Sequence, residues 1–509
     1  MRNDTKQAAK NIAQILEISE KYVHYDDREK VYVIENCVSE NNFEVIKFNK
    51  DIQFDDLLDY PLKFHKCEFL ESVIGYEKQF KHKLIFTNVT FKKVLNLAFS
   101  IFSNEINFFN VTLEYNIDCQ QCEFKGIFKA FGVKFLKGAF FQNSTFEKEV
   151  HFGKEIDDRN TEKSNMFGSC SFETAIFENC IFFDKVYFKD NEFKQSFFKN
   201  STFKDNVYFN NSHFYDSADF HECEFEKTAC FYGVTFEKSP SFSQAIFKGS
   251  LNIVNTNLNF DFENLNERIK QEYHLYEKRR TRKEPGTIPN LYREKSLDKF
   301  ANDFRDSFRN FKSALIKDNN LLDASNFHKY ELYCKEIELD SKNPKIFSKD
   351  FIDKWQLFFY RITSNHHTDL LKIINNVVLL IAIFAVMLLC VRYQYNLDIF
   401  IKNHKIKYDC LMKISIWITD TKFMGLFYVL FVTTIFICRC ISVTISLIIT
   451  LIVIAINPKY ILGIGGFIGG SVKATGAIEN FLFVMYSIIM FLLLFSLQKT
   501  ARKNSIIPN

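Results

Sequence analysis

The amino-acid sequence predicts a β-solenoid in the N-terminal half, then an α-helical connector, then C-terminal transmembrane helices. Two observations carry this prediction. The chain of 509 residues contains 60 Phe, and in the N-terminal half they recur every five or six residues. In the C-terminal part, apolar runs reach the ~20 residues that a helix needs to cross a bilayer. A chain of 509 residues is also long for one hydrophobic core, so several structural units are expected.

The first element is the Phe repeat between residues 64 and 260, whose steps alternate between five and six. Helices space apolar residues by three and four and single strands by two, so a chain that turns a corner at every unit is predicted. The central positions that define the repeat core are Phe69, Phe80, Phe91, Phe102, Phe124, Phe135, Phe146, Phe203, Phe214, Phe225, Phe236 and Phe247. The intervening series includes Phe86, Phe108, Ala130, Phe141 and Phe152. After an insertion, the combined pattern returns at Phe172, Phe177, Phe183 and Phe188.

The residue two before each central Phe forms the second half of the pattern. It is small or β-branched, as at Cys67, Val89 and Ser100. A narrow interior packed at protein density has room for one large and one small side chain per unit. Stacked coils would then place Phe on Phe, and each ring pair adds roughly 0.5–1.5 kcal/mol beyond its buried area.

On these residues, the segment 61–260 resembles the pentapeptide-repeat family in its Phe-rich form. The resemblance implies a right-handed quadrilateral β-helix with four units per coil. About 22 residues would form each coil, and successive coils would rise by about 4.8 Å. Residues 1–60 are predicted to form an N-terminal cap, as solenoids require. The charged insertion at 153–168 is predicted to be a loop.

Residues 261–368 are predicted to form a helical connector. Phe304, Phe308 and Phe311 belong to an apolar stripe with helical spacing. This part is similar to the connector of bacterial pentapeptide-repeat proteins that have a C-terminal membrane domain. The matching residues are Phe304-Arg305, Phe311-Lys312, Asn320–Ala324, His328–Glu336 and Asp353-Lys354 through Ser364–His367.

Residues 369–509 are predicted to form a membrane domain with spans at about 370–391, 423–438, 440–456 and 480–497. Lys-rich flanks before the first span and after the last favour the cytoplasm, which requires an even number of crossings. The stretch 423–456 can instead be read as an interfacial helix and one span, which gives three. Four spans are preferred, in the inner membrane, with the N-terminal domain in the cytoplasm.

Two features of this domain are candidates for a membrane function. Arg439 interrupts an apolar stretch, and a charge at membrane depth is costly; a turn at the cytoplasmic surface is the alternative. Gly465, Gly466, Gly469 and Gly470 follow Pro458. They predict a flexible loop between spans, or alternatively a pore-lining element, because irregular backbone at membrane depth is tolerated where it lines a cavity.

No residue pattern predicts catalysis, a cofactor or a metal site. Cys119 and Cys122 both fall on repeat positions, so they are predicted to be packed core residues, and His366-His367 an interfacial pair. Residues 61–260 hold 23 Lys and Arg against 25 Asp and Glu, too weak a field for nucleic-acid binding or mimicry. The predicted partners are therefore membrane lipid and an unidentified protein, with the repeat domain as a scaffold. The alternative function is a small ion channel or transporter gated by the repeat domain.

Overall fold

A computed structural model describes residues 2–39, 42–153, 169–257, 260–281, 295–317, 319–393, 439–456 and 477–505. The chain divides into two compact units, Met1–Asn343 and Pro344–Asn509. The division falls inside the segment 261–368 that was predicted as one connector. Apart from Gly153, the predicted loop 153–168 lies outside the described residues, as does the predicted span 423–438.

The described residues of the first unit contain four α-helices: α1 Arg2–Ile15, α2 Phe262–Thr281, α3 Leu297–Lys317 and α4 Leu321–Ser341. Short 3-10 helices occur at Glu20–Tyr22 and Asp55–Leu57. The described helices of the second unit are α5 Lys349–Ser364, α6 Leu370–Tyr393, α7 Arg439–Ile456 and α8 Ala477–Ser505.

The strands of the first unit wind into coils with four faces. Face 1 is Val23–Asp26, Val31–Ile34, Leu62–His65, Leu84–Thr87, Ile106–Phe109, Phe128–Phe131, Val150–Gly153, Val186–Lys189, Val207–Tyr208, Ala229–Cys230 and Leu251–Asn252. Face 2 is Ile46–Phe48, Cys67–Phe69, Thr90–Phe91, Thr112–Leu113, Lys134–Phe140, Ser171–Ile176, Glu192–Phe197, His213–Phe214 and Thr235–Phe236.

The other two faces complete each coil. Face 3 is Ile52–Gln53, Val73–Ile74, Leu95–Asn96, Ile117–Asp118 and Ala218–Asp219, joined by the C-terminal halves of the three longest face 2 strands, which run round the corner. Face 4 is Gln79–Phe80, Ile101–Phe102, Glu123–Phe124, Thr145–Phe146, Ile181–Phe182, Thr202–Phe203, Glu224–Phe225 and Ile246–Phe247. A separate hairpin pairs Asn36–Ser39 with Asn42–Glu44.

The register of these strands confirms the predicted β-solenoid, which has about nine turns. Leu84 pairs in parallel with Leu62 and with Ile106, so one coil takes 22 residues here. Val186 pairs with Val207, a coil of 21 residues. Because every inward position faces its equivalent in the next coil, a single hydrophobic core runs the length of the solenoid.

The N-terminal stretch predicted as a cap contains two kinds of structure. Ile12 of helix α1 and Leu16, directly after it, are buried against the solenoid core, as an end cap requires. From Val31 onward, however, the chain already forms a coil: Tyr32 pairs in parallel with Leu62, and Phe48 with Phe69. The coils therefore begin about one turn before residue 61, where Val, Ile and Leu stand in place of most of the repeat Phe.

In the second unit, α6 and α8 pack antiparallel. The Phe384 and Tyr486 rings are 4.0 Å apart, whereas His367, before α6, lies 6.5 Å from Phe495, near the end of α8. Thr450 of α7 donates a hydrogen bond to the Val378 carbonyl at 3.3 Å. By length and composition, Leu370–Leu388 and Ala477–Ala501 could cross a membrane, and Ile441–Ile452 of α7 is a shorter apolar segment.

Candidate interaction surface

The interior of the solenoid is a set of stacked Phe rings. The Phe182 and Phe203 centroids are 4.8 Å apart with the rings 1° from parallel, and Phe198 and Phe220 are 4.9 Å apart at 2°. Of the twelve residues proposed as the repeat core, the structure buries eleven completely and leaves Phe247, in the last coil, half-buried. These residues hold the scaffold together and none of them faces outward.

Two positions in the core differ from the predicted pattern. Phe183 was assigned to the repeat, but Phe182 fills the interior and Phe183 is 48% exposed. The small residue two positions earlier decides this, since Cys180 is buried and Ile181 is not.

The second difference is an exchange of large and small residues. Ala130 occupies a central position, and Phe128, two residues earlier, supplies the ring that lies 5.1 Å from Phe152 and 5.9 Å from Phe108. The volume per coil is thus kept although the order of the two residues is reversed.

The corners of the coil use backbone conformations that sequence reasoning missed. Two corners per coil have positive φ, one before face 2, as at Asn88 and Asn110, and one before face 4, as at Asn179 and Asn200. Asn tolerates this left-handed conformation better than most residues. Its side chain also bonds the next coil: Asn110 Nδ2 donates to Asn88 Oδ1 at 2.6 Å. Recurrent Asn just before the small residue was the available signal.

Where the small residue after a left-handed corner is Ser or Cys, it has a polar role as well as a steric one. Ser201 Oγ donates to the Phe177 carbonyl at 2.5 Å, and Cys180 Sγ to the Phe141 carbonyl at 2.8 Å. Both carbonyls belong to the preceding coil and are buried, so an unpaired oxygen there would be costly. Burial raises the pKa of Cys180 to about 12, which keeps the thiol protonated as a donor.

The same arrangement accounts for the Cys119–Cys122 pair. Both are buried, and Cys122 Sγ donates to the Leu97 carbonyl at 3.1 Å. Burial raises the pKa of the Cys119 thiol well above its ordinary value. Among the described residues there is no group of three or more His, Cys, Asp or Glu that could hold a metal ion.

The outer faces carry rows of paired charges. Lys92 Nζ lies 2.5 Å from Glu114, Lys227 Nζ 2.6 Å from Asp205, and Lys238 Nζ 2.6 Å from Asp216. Each pair joins neighbouring coils. Exposed pairs of this kind contribute about 0–1 kcal/mol each to folding stability. They make the surface polar but add little to the stability of the solenoid.

One groove interrupts this regular surface, on face 2. It has a volume of about 520 Å³ and is lined by Phe135, Leu136, Ser171, Phe172, Glu173, Glu192, Lys194, Tyr215, Asp216 and Lys238. Beside it the strand register shifts between Phe135 and Gly138. Leu136 and Tyr215 are 47% and 45% exposed there. Exposed aromatic and apolar side chains within a polar rim are typical of a surface that contacts another protein.

Helix α3 closes the C-terminal end of the solenoid. The Phe242 backbone N–H donates to Ser307 Oγ at 2.7 Å, and the Gln244 N–H donates to Asp306 Oδ2 at 3.1 Å. The Phe311 ring packs 4.7 Å from that of Phe242. The predicted stripe of Phe304, Phe308 and Phe311 is buried. Backbone groups that a further coil would have bonded therefore find side-chain partners instead.

Helix α4 is joined to α3 by partly buried ion pairs. Glu331 lies 2.5 Å from Lys312 Nζ and 3.3 Å from His328 Nδ1. Burial by itself would raise the pKa of Glu331, but these two hydrogen bonds outweigh it and lower the pKa to about 2. Glu338 makes similar contacts with Arg305, Lys335 and Lys342.

The candidates for a membrane function fall mostly outside the described residues. Arg439 is the first residue of α7, and Gly465, Gly466, Gly469 and Gly470 are not described. His366 and His367 are buried in the turn between α5 and α6, where both have positive φ.

Comparison with protein families bears on the solenoid. Residues 177–224 match the model for pentapeptide repeats, in nine copies. The N-terminal solenoid is a pentapeptide-repeat domain. The parallel strands continue on both sides of the matched segment. The pentapeptide-repeat domain is therefore longer than the match and runs from the first coil to α3. No curated protein and no solved structure matches the chain.

Proposed function

We propose that this protein is a non-enzymatic, multi-pass scaffold of the inner membrane that presents its pentapeptide-repeat domain to a protein partner in the cytoplasm. The groove on face 2 is the observation that carries the proposal. It is a place on the solenoid where exposed apolar side chains, charges of both signs and a concave surface occur together.

The chemistry of the groove favours a protein over other ligands. Leu136 and Tyr215 offer apolar contact, and Tyr is among the residues that most often dominate binding energy at interfaces. Glu173 and Lys194 pair with each other at 2.5 Å, so they leave little net field for a nucleic acid. Peptide groups and mixed side chains of a protein segment match this combination.

The interaction is tested in the full-length protein with a photo-crosslinking amino acid at position 136. We expect a discrete crosslinked partner, whose yield falls at least about tenfold with Tyr215→Ala, as hot-spot truncations of about 1.4 kcal/mol or more do. Tyr232→Ala is the matched control, because Tyr232 is 41% exposed but does not line the groove. Equal yields from both variants, or no discrete product, would contradict the proposal.

The membrane part of the proposal draws support from α6 and α8. Their antiparallel packing would bring the start of α6 and the end of α8 to the same side of a bilayer, as an even number of spans requires. Lys499, Arg502 and Lys503 follow the apolar part of α8, which favours the cytoplasm for that side.

Membrane integration and topology are tested together. The protein should stay in the membrane pellet after alkaline extraction. Reporters fused after Lys503 and at the N-terminus should both read as cytoplasmic. A reporter inserted at Arg439 distinguishes a cytoplasmic turn from a buried arginine. A C-terminal reporter on the opposite side would contradict the even number of spans.

A further inference from the structure

Helix α5 is a well-formed helix directly before the first apolar segment. Ser348 caps its start, with Oγ accepting a hydrogen bond from the Phe351 N–H at 3.2 Å. Asn365 ends it in a left-handed conformation, and its N–H donates to the Arg361 carbonyl at 3.2 Å. Because both ends are capped within its own sequence, α5 is a defined element of the second unit.

The apolar side of α5 faces outward. Ile352, Trp355 and Ile362 are 58%, 52% and 47% exposed, and Phe358 lies on the same side. In contrast, Ser364 is buried and Tyr360 packs 4.6 Å from the His367 ring. A helix of a water-soluble domain has the opposite arrangement, with its apolar stripe toward the core. The stripe therefore needs an apolar environment that the described part of the chain does not supply.

The charges on α5 are sorted around this stripe. At 3.6 residues per turn, Lys354 and Arg361 border one edge of the stripe and Lys349 borders the other. The Arg361 guanidinium lies 5.4 Å from the centre of the Phe358 ring. Of the two acids of the helix, Asp353 lies on the opposite side, and Asp350 lies between it and the edge that carries Lys354 and Arg361. The edge that flanks the apolar surface is thus basic, which complements an anionic surface.

The C-terminal end of α5 is bonded to the first turns of α6. Asn376 Nδ2 donates to the Thr363 carbonyl at 2.7 Å, and Lys372 Nζ donates to the Arg361 carbonyl at 3.1 Å. The Thr363 carbonyl is one that the end of a helix leaves open, and the Arg361 carbonyl already accepts the Asn365 N–H. The two bonds from Lys372 and Asn376 also hold the C-terminal end of α5 beside the first turns of α6, where a span would enter the bilayer.

We propose that α5 lies in the cytoplasmic interface of the bilayer, with Trp355 and its apolar neighbours among the acyl chains and Lys349, Lys354 and Arg361 on anionic lipid headgroups. Tryptophan and basic residues at the edge of an apolar helix face suit this position. The proposal rests on the proposed membrane integration of α6 and α8. Leu370 and Leu371, the first residues of α6, are also exposed, which favours lipid over a second copy or a soluble protein as the occupant.

The position of Trp355 is testable because the chain has two tryptophans, Trp355 and Trp417. The full-length Trp417→Phe variant is placed in nanodiscs of anionic and zwitterionic lipid. We expect lipids brominated near the headgroup to quench Trp355 more strongly than lipids brominated near the bilayer centre. Quenching by aqueous iodide but not by either lipid would overturn the proposal. Stronger quenching from the bilayer centre would also overturn it.

The lipid class is tested by energy transfer from Trp355 to dansyl-labelled anionic or zwitterionic lipid. We expect Lys349→Gln with Lys354→Gln to lower the enrichment of anionic lipid, by roughly fivefold per basic residue at low salt. Asp353→Asn, on the opposite side, is the matched control and should lower nothing. Unchanged enrichment in the double variant would overturn the headgroup contact. Alkaline extraction of each variant separates this outcome from a failure of α6 and α8 to integrate.

Discussion

The two units of this protein use the same apolar side chains in opposite ways. In the pentapeptide-repeat domain Phe209 is completely buried, whereas Phe491 of α8 is 70% exposed. The solenoid keeps polar pairs outside because water surrounds it. The helices of the second unit turn Leu, Ile and Phe outward, which costs nothing only where hydrocarbon replaces water. Under the proposed membrane location of the second unit, the comparison teaches that the surrounding solvent, not residue type, determines which side chains face inward.

The largest expected effect comes from removing one ring from the solenoid. Phe198 packs against Phe177, Phe209 and Phe220, with centroids 4.9 to 5.4 Å away. Phe198→Ala should lower the free energy of unfolding of the solenoid by about 3–5 kcal/mol, because it removes buried surface and leaves a cavity. Denaturant unfolding followed by circular dichroism in detergent measures it.

Phe183→Ala is the matched control for that variant. The Phe183 side chain is 48% exposed, so we expect a change of about 0.5 kcal/mol or less. Similar losses from both variants would contradict the inward–outward distinction between Phe182 and Phe183.

The next effect tests the exposed side chains of the second unit. Phe491 lies near the middle of Ala477–Ala501, and Phe491→Arg should disfavour membrane insertion of α8 by about 3 kcal/mol. A glycosylation-based insertion assay measures it. The same change at Ala501 should have little effect, because Arg there can reach the headgroup region. Normal insertion of the Phe491 variant would indicate an aqueous environment for that face.

A smaller effect concerns the helices that close the solenoid. The pKa of Glu331 is about 2 in the folded protein, below its ordinary value, so its ion pairs stabilise the fold above about pH 4.3. This contribution, about 2 kcal/mol after allowance for screening, is lost as pH falls toward 2. Glu331→Gln should therefore speed hydrogen exchange of α3 and α4 at pH 7. Its difference from the parent should vanish near pH 2, and a difference that persists there would contradict the assignment.

The smallest predicted effect tests the polar task of the small residue. Ser201→Ala leaves the Phe177 carbonyl without its donor and should cost about 1 kcal/mol of unfolding free energy. Ser201→Cys should recover most of it, because Cys180 and Cys223 make the equivalent bond in this chain. If the Ala and Cys variants have the same free energy of unfolding, the side chain at position 201 has only a steric role.

Much of the solenoid could be predicted because its period is a direct consequence of its geometry. A Phe every five or six residues with a small residue two before it indicates both the corners and the inward side. Spacing alone could not choose between Phe182 and Phe183, since both fit a step of five or six from Phe177. The exchange at Phe128 and Ala130 was equally hidden, because the interior fixes a total volume and not its order.

The surface features were less accessible from the sequence. Leu136 and Tyr215 lie far apart in the chain and line the same groove only because the coils stack in register. The α5 residues were assigned to a connector by resemblance. Their apolar stripe suggests a lipid contact only because the structure leaves it exposed. Periodicity identifies an amphipathic helix but does not tell which medium its apolar side contacts.

The pairing across the insertion has a consequence for how such a domain changes size. Phe152 and Phe188 are 36 positions apart, yet their rings stack at 5.1 Å, as closely as Phe188 and Phe209 at 5.0 Å. Extra residues at a corner therefore add no height to the column. Only a whole added turn, with all four sides present, would lengthen it, so growth of this domain proceeds in fixed increments of about 4.8 Å.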